Sequence, residues 1–374
     1  MLFTENNFLL VVVCCTSFVI CVGVVLTQNL HGRWSHDSNE GIQKIHTQPT
    51  PRIGGLGVFL SMLIAYFIFE SQAKSSSHLD SLKIMRTMLL GGSLCFLAGL
   101  AEDVTKKVSV SMRLVLCLIA ALLAVFHSSI SITDVGLPWI DSVLSLKPEW
   151  SIALAPAAIF LTCIAIAGLA NAFNIIDGFN GLSSGVAMVV CAGVMAIAAR
   201  LGDMPLLYVS SLLSVAIFGF WLTNWPYGKL FLGDGGAYFI GFCIAWLVIL
   251  LPARNPSVSP WASLLLISYP VAEVLFSVIR RIRRSGHHPG APDKVHMHHL
   301  VYARCIRKYF SRSGSTQISG LANGMTALAI CIANMVIVAI TYYIHHSQLM
   351  LMIAFIGVIV IFSFTYTRLA SFKS

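Results

Sequence analysis

The chain reads as a succession of apolar runs, each long enough to cross the roughly 30 Å hydrocarbon core of a bilayer as a helix. Short polar connections separate them. The pattern predicts about eleven spans: 8–30, 53–69, 87–101, 112–132, a fifth from near Ile152, then 183–199, 206–223, 237–251, 261–279, 321–344 and 349–366. The fifth leads into a polar stretch at Asn171. No internal repeat or low-complexity segment interrupts the series, so residues 1–374 read as one all-α, polytopic membrane domain. Glu5 and the absence of Lys or Arg ahead of the first run leave it without the basic flank of a cleaved signal peptide. The first helix is expected to stay.

Composition agrees, with 57% hydrophobic and only 10% charged residues in 374. The net charge of +9 does not point to nucleic acid, because cytoplasmic loops of membrane proteins collect Lys and Arg. Of the 24 basic residues, six (Lys74, Lys83, Arg86, Lys147, Arg200 and Arg254) fall on one set of connections and 18 on the other set and the C-terminal tail. The expected topology is N-terminus outside, C-terminus in the cytoplasm. Most of the 10 cysteines sit inside apolar runs and none forms a CxxC pair, so they read as small apolar residues.

The polar stretches that are more than linkers all fall on the cytoplasmic side. They are HTQPTPRIGG (His46 to Gly55), AEDVTKK (Ala101 to Lys107), NAFNIIDGFNGL (Asn171 to Leu182), KLFLGDGG (Lys229 to Gly236) and PDKVHMHHL (Pro292 to Leu300). Together they read as one site at the membrane boundary. If the fifth helix continues, Asn171, Asn174 and Asp177 fall within about a third of its circumference. Gly178 and Gly181 then loosen the backbone where an anionic ligand can approach. An ordinary helix end capped by Asn and Gly is the alternative for that stretch alone. Glu102 and Asp103 are either a solvated helix end balanced by Lys106 and Lys107 or functional carboxylates. Asp234, between glycines, offers a hard oxygen ligand. With Asn174 and Asp177 it suits magnesium, which keeps waters and shares itself with substrate phosphates.

His296, His298 and His299, with Asp293 and Lys294, lack a suitably spaced further ligand for zinc. Beside Arg280, Arg281, Arg283 and Arg284 they fit a cationic surface for phosphate or a nucleotide better. Those arginines are also the expected positive-inside signal, and a place for anionic lipid headgroups.

In this order the motifs PTPRIGG, AEDVTKK, NAFNIIDGFNGL, FLGDGG and PDKVHMHHL resemble the polyprenyl-phosphate N-acetylhexosamine-1-phosphate transferases, glycosyltransferase family 4. The resemblance runs from His46 to about His299, and the His-x-His-His pattern is closer to the WecA branch than to the MraY branch. It implies a magnesium-dependent enzyme (manganese being a candidate substitute) in the bacterial inner membrane, with its active site facing the cytoplasm. Its substrates would be a UDP-N-acetylhexosamine, most commonly UDP-GlcNAc, and undecaprenyl phosphate. Its products would be undecaprenyl-diphosphate-sugar and UMP, initiating a cell-surface glycan such as O-antigen. A homodimer is compatible with it. The resemblance assigns metal ligation to Asn174 and Asp234, with Asp177 catalytic, and the lipid phosphate to Asp103. It places Glu102, Lys106, Asn171, Asn180, His296, His298 and His299 about the substrates.

Two departures are visible. The family's paired aspartates are Glu102-Asp103 here, and the second Asp of the DGxDG form is Asn180, as in some relatives. Three alternatives stay open: a phospho-N-acetylmuramoyl-pentapeptide transferase, a non-catalytic scaffold and a membrane transporter. Clustering of the carboxylates at one face, away from the midplane where transporters bind, counts against transport.

Overall fold

Every predicted apolar run is helical in the computed structural model, which describes residues 2–37, 49–72, 76–146, 155–283, 296–310 and 316–371. His46, Lys74, Lys147, Ile152, Arg284, Asp293 and Lys294 lie outside the described residues. The chain opens with α1 (Leu2–Leu26) and α2 (Gln28–Ser35), followed by a two-stranded antiparallel ribbon of β1 (His36–Asp37) and β2 (Thr50–Pro51). Next come α3 (Gly55–Gln72), α4 (Ser76–Thr105), α5 (Val110–Ser128) and α6 (Pro138–Leu144). The middle of the chain forms α7 (Pro156–Ile176), α8 (Leu182–Leu201), α9 (Met204–Asn224) and α10 (Gly233–Arg254). After it come α11 (Pro260–Leu266), α12 (Ser268–Arg283) and α13 (Met297–Val301). A π-helical turn (Tyr302–Ile306) leads to α14 (Arg307–Phe310), α15 (Thr316–Ile344) and α16 (Gln348–Ser371).

Nine of these helices, among the described residues, are long and apolar enough to cross a bilayer: α1, α4, α5, α7, α8, α9, α10, α15 and α16. The predicted span 261–279 is two helices, α11 and α12, bent by 74° about Ile267. α3 is a shorter apolar helix, Gly55–Ser71. The protein is thus an all-α, multi-pass membrane protein. Several predicted edges move. The third span begins about three turns earlier than its apolar run, at Ser76, and the first ends at Leu26, where α2 turns away. All ten cysteines are free thiols, and most are buried.

The hub is α10. Every residue from Gly233 to Leu251 is buried, and beyond Asp234 in its first turn this helix is apolar on every side, as suits a helix enclosed by others. It packs along α4 and α7. The rings of Phe242 and Phe239 lie over Gly91 and Gly92 of α4, a small-against-large fit of the kind that draws helices together where no hydrophobic drive separates them from lipid. On the other side Gly241 meets Ala170, and the Tyr238 hydroxyl donates to Asn171 Oδ1 at 3.3 Å. α7 and α10 run in opposite directions here, so one further turn toward the site end brings Asn174 level with Asp234.

Local signals set the helix ends. Ser109 caps α5 by accepting from the Met112 amide at 3.2 Å. Pro156 and Pro260 open α7 and α11, where a missing N–H costs nothing. At the end remote from the site, Asp203 caps α9 and receives Arg254 through two contacts of 2.8 Å. The cleft of about 530 Å³ between Ser76, Asp80, Asp203 and Arg254 also lies at that remote end.

The loop before α10 is sewn to the segment before α3. The Phe231 amide donates to the Pro51 carbonyl at 2.8 Å, and the Gly54 and Gly55 amides donate to the Phe231 and Leu232 carbonyls at 2.9 Å each. Gly55 sits so close to α10 that a Cβ there would lie 2.3 Å from Gly236 Cα, a backbone atom that cannot swing aside. Gly55→Ala is therefore expected to lower the thermal unfolding midpoint in detergent, at a cost of about 1–3 kcal/mol. Gly168→Ala is the control: nothing lies within 4 Å of its Cβ position, and Ala favours the helix. A Gly55→Ala midpoint equal to wild type would overturn this packing argument.

Candidate active site

The ends of α4, α7 and α9, the starts of α3, α5, α8 and α10, and α13 meet at one end of the bundle, which brings the polar motifs into one neighbourhood. At its centre Asp103, 1% exposed, ends α4 against the first turn of α10. Its Oδ1 accepts from the Asp234 amide at 3.0 Å and its Oδ2 from the Gly235 amide at 2.9 Å. A carboxylate at a helix N-terminus satisfies orphan N–H groups and meets the positive end of the helix dipole. Gly233 makes the approach possible. It holds φ +76°, and a Cβ there would strike the Arg52 carbonyl and Asp103.

Two guanidinium groups complete the centre. Arg52 reaches Asp103 Oδ1 through Nε at 3.0 Å, Asp234 Oδ1 through Nη2 at 2.6 Å and Asp37 at 3.5 Å. Arg113, at the start of α5, pairs with the other oxygen of Asp234 and lies over the Tyr238 ring. Charges this deep are tolerable only when paired and hydrogen-bonded. Lys106, in the left-handed region at φ 57°, turns back to donate from Nζ to the Asp103 carbonyl at 2.5 Å. Burial, then Arg52, pushes the Lys106 pKa down against the pull of Asp103, Asp37 and Glu102. Glu102 is partly buried, and its Oε2 accepts from the Val108 amide at 2.7 Å, closing the turn between α4 and α5.

The α7–α8 turn forms the second wall. α7 ends at Ile176, and Asp177 is its C-cap, so the helix does not carry all three predicted polar residues on one face. Asn171 accepts from Tyr238, while Asn174, one turn nearer the site, is partly exposed. The Asn180 side chain is held by its own surroundings. Its Nδ2 donates to the Pro226 carbonyl at 2.9 Å, and its amide donates to Asn323 Oδ1 at 2.7 Å. Asn224 fixes the same turn, accepting from the Gly181 amide at 2.5 Å and donating to the Leu230 carbonyl at 2.7 Å.

The histidines form the third wall. His296 and His298 are buried with parallel rings 5.4 Å apart, and Phe179 presents an edge to His298 and His299. Both Nδ1 atoms face the carboxylate of Glu273 on α12, at 3.3 Å and 3.1 Å. Burial pushes the His298 pKa down, and Glu273 opposes it.

Arg52 stood inside a motif without a role, and Arg113, Glu273, Asn224 and Asn323 were missed altogether. Arg113 and Glu273 carried a signal: each is a charged residue inside an apolar span, and such residues face protein or polar cavities. The two asparagines gave none.

Among the described residues no group of three or more His, Cys, Asp or Glu side chains forms a ready-made metal cage. Asp234, Asp177 and Asn174 are instead a sparse set of oxygen donors. That suits a hard dication completed by water and phosphate oxygens.

Burial raises the Asp177 pKa well above the ordinary carboxyl range; Arg52 pulls it down and Asp103 pushes it up. A carboxyl with a folded pKa above its unfolded value of about 3.9 makes stability fall as pH rises from that value through the folded pKa. Asp177→Asn removes this cost. In EDTA its unfolding midpoint should match wild type at low pH and exceed it progressively as the pH is raised. A pH-independent gap between the two would refute the assignment.

Residues 85–252 match the family described as glycosyl transferase family 4, an interval that holds Glu102, Asp103, Lys106, the Asn171 stretch and Asp234 and stops short of the histidines. The chain is 26% identical over 266 residues to the undecaprenyl-phosphate alpha-N-acetylglucosaminyl 1-phosphate transferase of Salmonella typhi, covering 69% of this chain and 67% of the relative. It is 28% identical over 273 residues to the protein of the same name from Yersinia pestis, covering 69% and 67%. To a probable undecaprenyl-phosphate N-acetylglucosaminyl 1-phosphate transferase of Bacillus subtilis it is 26% identical over 263 residues, covering 70% and 68%. With its motifs assembled at one end of a polytopic helical bundle, the chain is similar to glycosyl transferase family 4 over residues 85–252.

Proposed function

We propose that this protein transfers GlcNAc-1-phosphate from UDP-GlcNAc to undecaprenyl phosphate, initiating a lipid-linked cell-surface glycan such as O-antigen. A phosphate oxygen of the lipid attacks the sugar-bearing phosphorus of the nucleotide. The bond from that phosphorus to the bridging oxygen breaks, and UMP leaves. The observation that carries the reading is the joining of Asp103, Asp234, Arg52 and Arg113 at a bundle end that also holds the Asn174–Asp177 turn and the histidines. The names of the relatives support undecaprenyl phosphate as acceptor and GlcNAc-1-phosphate as the group transferred.

Magnesium would be held by Asp234, Asn174 and Asp177. When bound, it supplies charge neutralisation for the diphosphate. Phosphoryl transfer asks mainly for positioning and for positive charge around the phosphates. Arg52 and Arg113 bring that charge; both now rest on carboxylates and can turn to substrate phosphate. Asp103 is argued to position and not to act as a base, since both its oxygens already accept from α10 amides. A phosphate monoester with a second pKa of about 6 is already mostly dianionic at neutral pH, so no base is required. His298 and its neighbours close the site on the α7–α8 turn, where the nucleotide would lie.

The site end would face the cytoplasm. It carries Arg33, Lys106, Lys107, Lys229, Arg304, Arg307 and Lys308, whereas Arg200 and Arg254 lie at the other end. A C-terminal fluorescent-protein fusion should therefore fluoresce, and an alkaline phosphatase fusion at the same point should be inactive. The reverse pattern would reject this topology.

The decisive assay uses purified protein in detergent with undecaprenyl phosphate, magnesium and a panel of UDP-sugars, scoring UMP. UMP should require lipid phosphate and metal together, and Asp234→Ala should reduce it by at least about 100-fold. Folded protein that releases no UMP with any donor would reject the transferase and favour a scaffold.

A further inference from the structure

Glu273 is 1% exposed, in the first half of α12 and away from the carboxylates at the centre of the site. Four groups surround its carboxylate. Oε1 accepts from the Tyr269 hydroxyl at 3.1 Å and faces His298 Nδ1 at 3.1 Å. Oε2 accepts from the Met297 amide at 3.3 Å and faces His296 Nδ1 at 3.3 Å. An ionised carboxylate only accepts, and has about four lone-pair directions. All four are used here. Each histidine must therefore carry its proton on Nδ1 to make its contact, which leaves Nε2 for whatever the other edge of the ring meets.

That other edge points at the site. A Cβ on Gly178 would lie 3.3 Å from His298 Nε2 and 3.9 Å from His299 Nε2, so His298 Nε2 addresses the Asp177–Gly178 turn. The 74° bend between α11 and α12 fits the arrangement, since α12 carries Glu273 beneath α13 along a direction that a straight span would not follow. A buried carboxylate is tolerated only where hydrogen-bond donors meet its oxygens. This one is matched group for group to two ring nitrogens.

We infer that Glu273 is a positioning residue for the transfer reaction: it fixes the Nδ1–H tautomer and ring orientation of His296 and His298, so that His298 offers a bare Nε2 to a hydrogen-bond donor of the sugar nucleotide. The link to catalysis rests on the function proposed above; the tautomer does not. The group recognised is a hydroxyl or amide N–H of the sugar or nucleoside, because a bare Nε2 cannot donate to a phosphate oxygen. Burial pushes the His298 pKa down, the direction that favours the neutral ring, and Glu273 opposes it.

The test has two arms on the full-length protein in detergent. First, nitrogen NMR of histidine-labelled wild type without substrate should show unprotonated Nε2 and protonated Nδ1 for both residues, assigned with His296→Gln and His298→Gln. Second, Glu273→Gln, which turns one acceptor into a donor, should lower kcat/KM for the UDP-sugar by about 10–100-fold, the usual effect of losing an orienting partner. Glu273→Asp, still an acceptor-only carboxylate, should recover part of it. In a His298→Gln background the Glu273→Gln loss should shrink to under about threefold, since contacting residues do not act additively.

An Nε2–H tautomer at His298, or an undiminished Glu273→Gln loss in the double variant, would overturn the inference. Should Glu273→Gln fail to fold, the wild-type spectrum decides. Absence of UMP from wild type would instead reject the transferase reading while leaving the tautomer assignment intact.

Discussion

The placing of the Asp103 carboxylate on the first amides of α10 is the contact on which the site end depends. It ties the end of one membrane helix to the start of the most enclosed helix in the protein. Arg52 then bridges Asp103 to Asp234, and Arg113 takes the remaining oxygen of Asp234. Two carboxylates and two guanidiniums make a locally neutral cluster. Removing any one of them would leave an uncompensated buried charge, which is far more costly than the pair is stabilising.

That balance suits a site for anionic substrates. A diphosphate entering a cluster of carboxylates alone would be repelled. Entering a neutral one, it can draw the arginines toward itself. The strap before α3 is bonded by backbone amides to the loop before α10, so Arg52 is aimed by the main chain and not only by its partners.

The two departures from the family's carboxylate pattern look different in three dimensions. Glu102 reaches the Val108 amide and shapes the turn after α4, a task its longer side chain can perform. Asn180 donates to the Pro226 carbonyl from a nearly buried position. An aspartate there would set a carboxylate against a carbonyl oxygen, so the side-chain amide fits the α9–α10 loop, while Asn323 on α15 takes the main-chain N–H. Neither residue is spare.

The sequence by itself determined the class, the spans and the grouping. Apolar runs of this length demand membrane helices, because a helix satisfies its backbone within a single span whereas barrel strands are shorter and alternate, and the predicted runs are helical among the described residues. The one-sided distribution of Asn171, Asp103, Asp234 and the histidines made a single site legible before any contact was known. Tertiary structure alone decided the rest. Helix periodicity places a residue on a face but not against a partner, so it could not pair Arg113 with Asp234, lay Glu273 beneath two histidines or join Asn180 to Asn323. The bend at Ile267, by contrast, has a signal in the apolar run: Pro270 has no N–H for the Leu266 carbonyl, so the helix breaks one turn before it. Such contacts depend on how helices far apart in sequence are packed, and hydropathy carries no record of it.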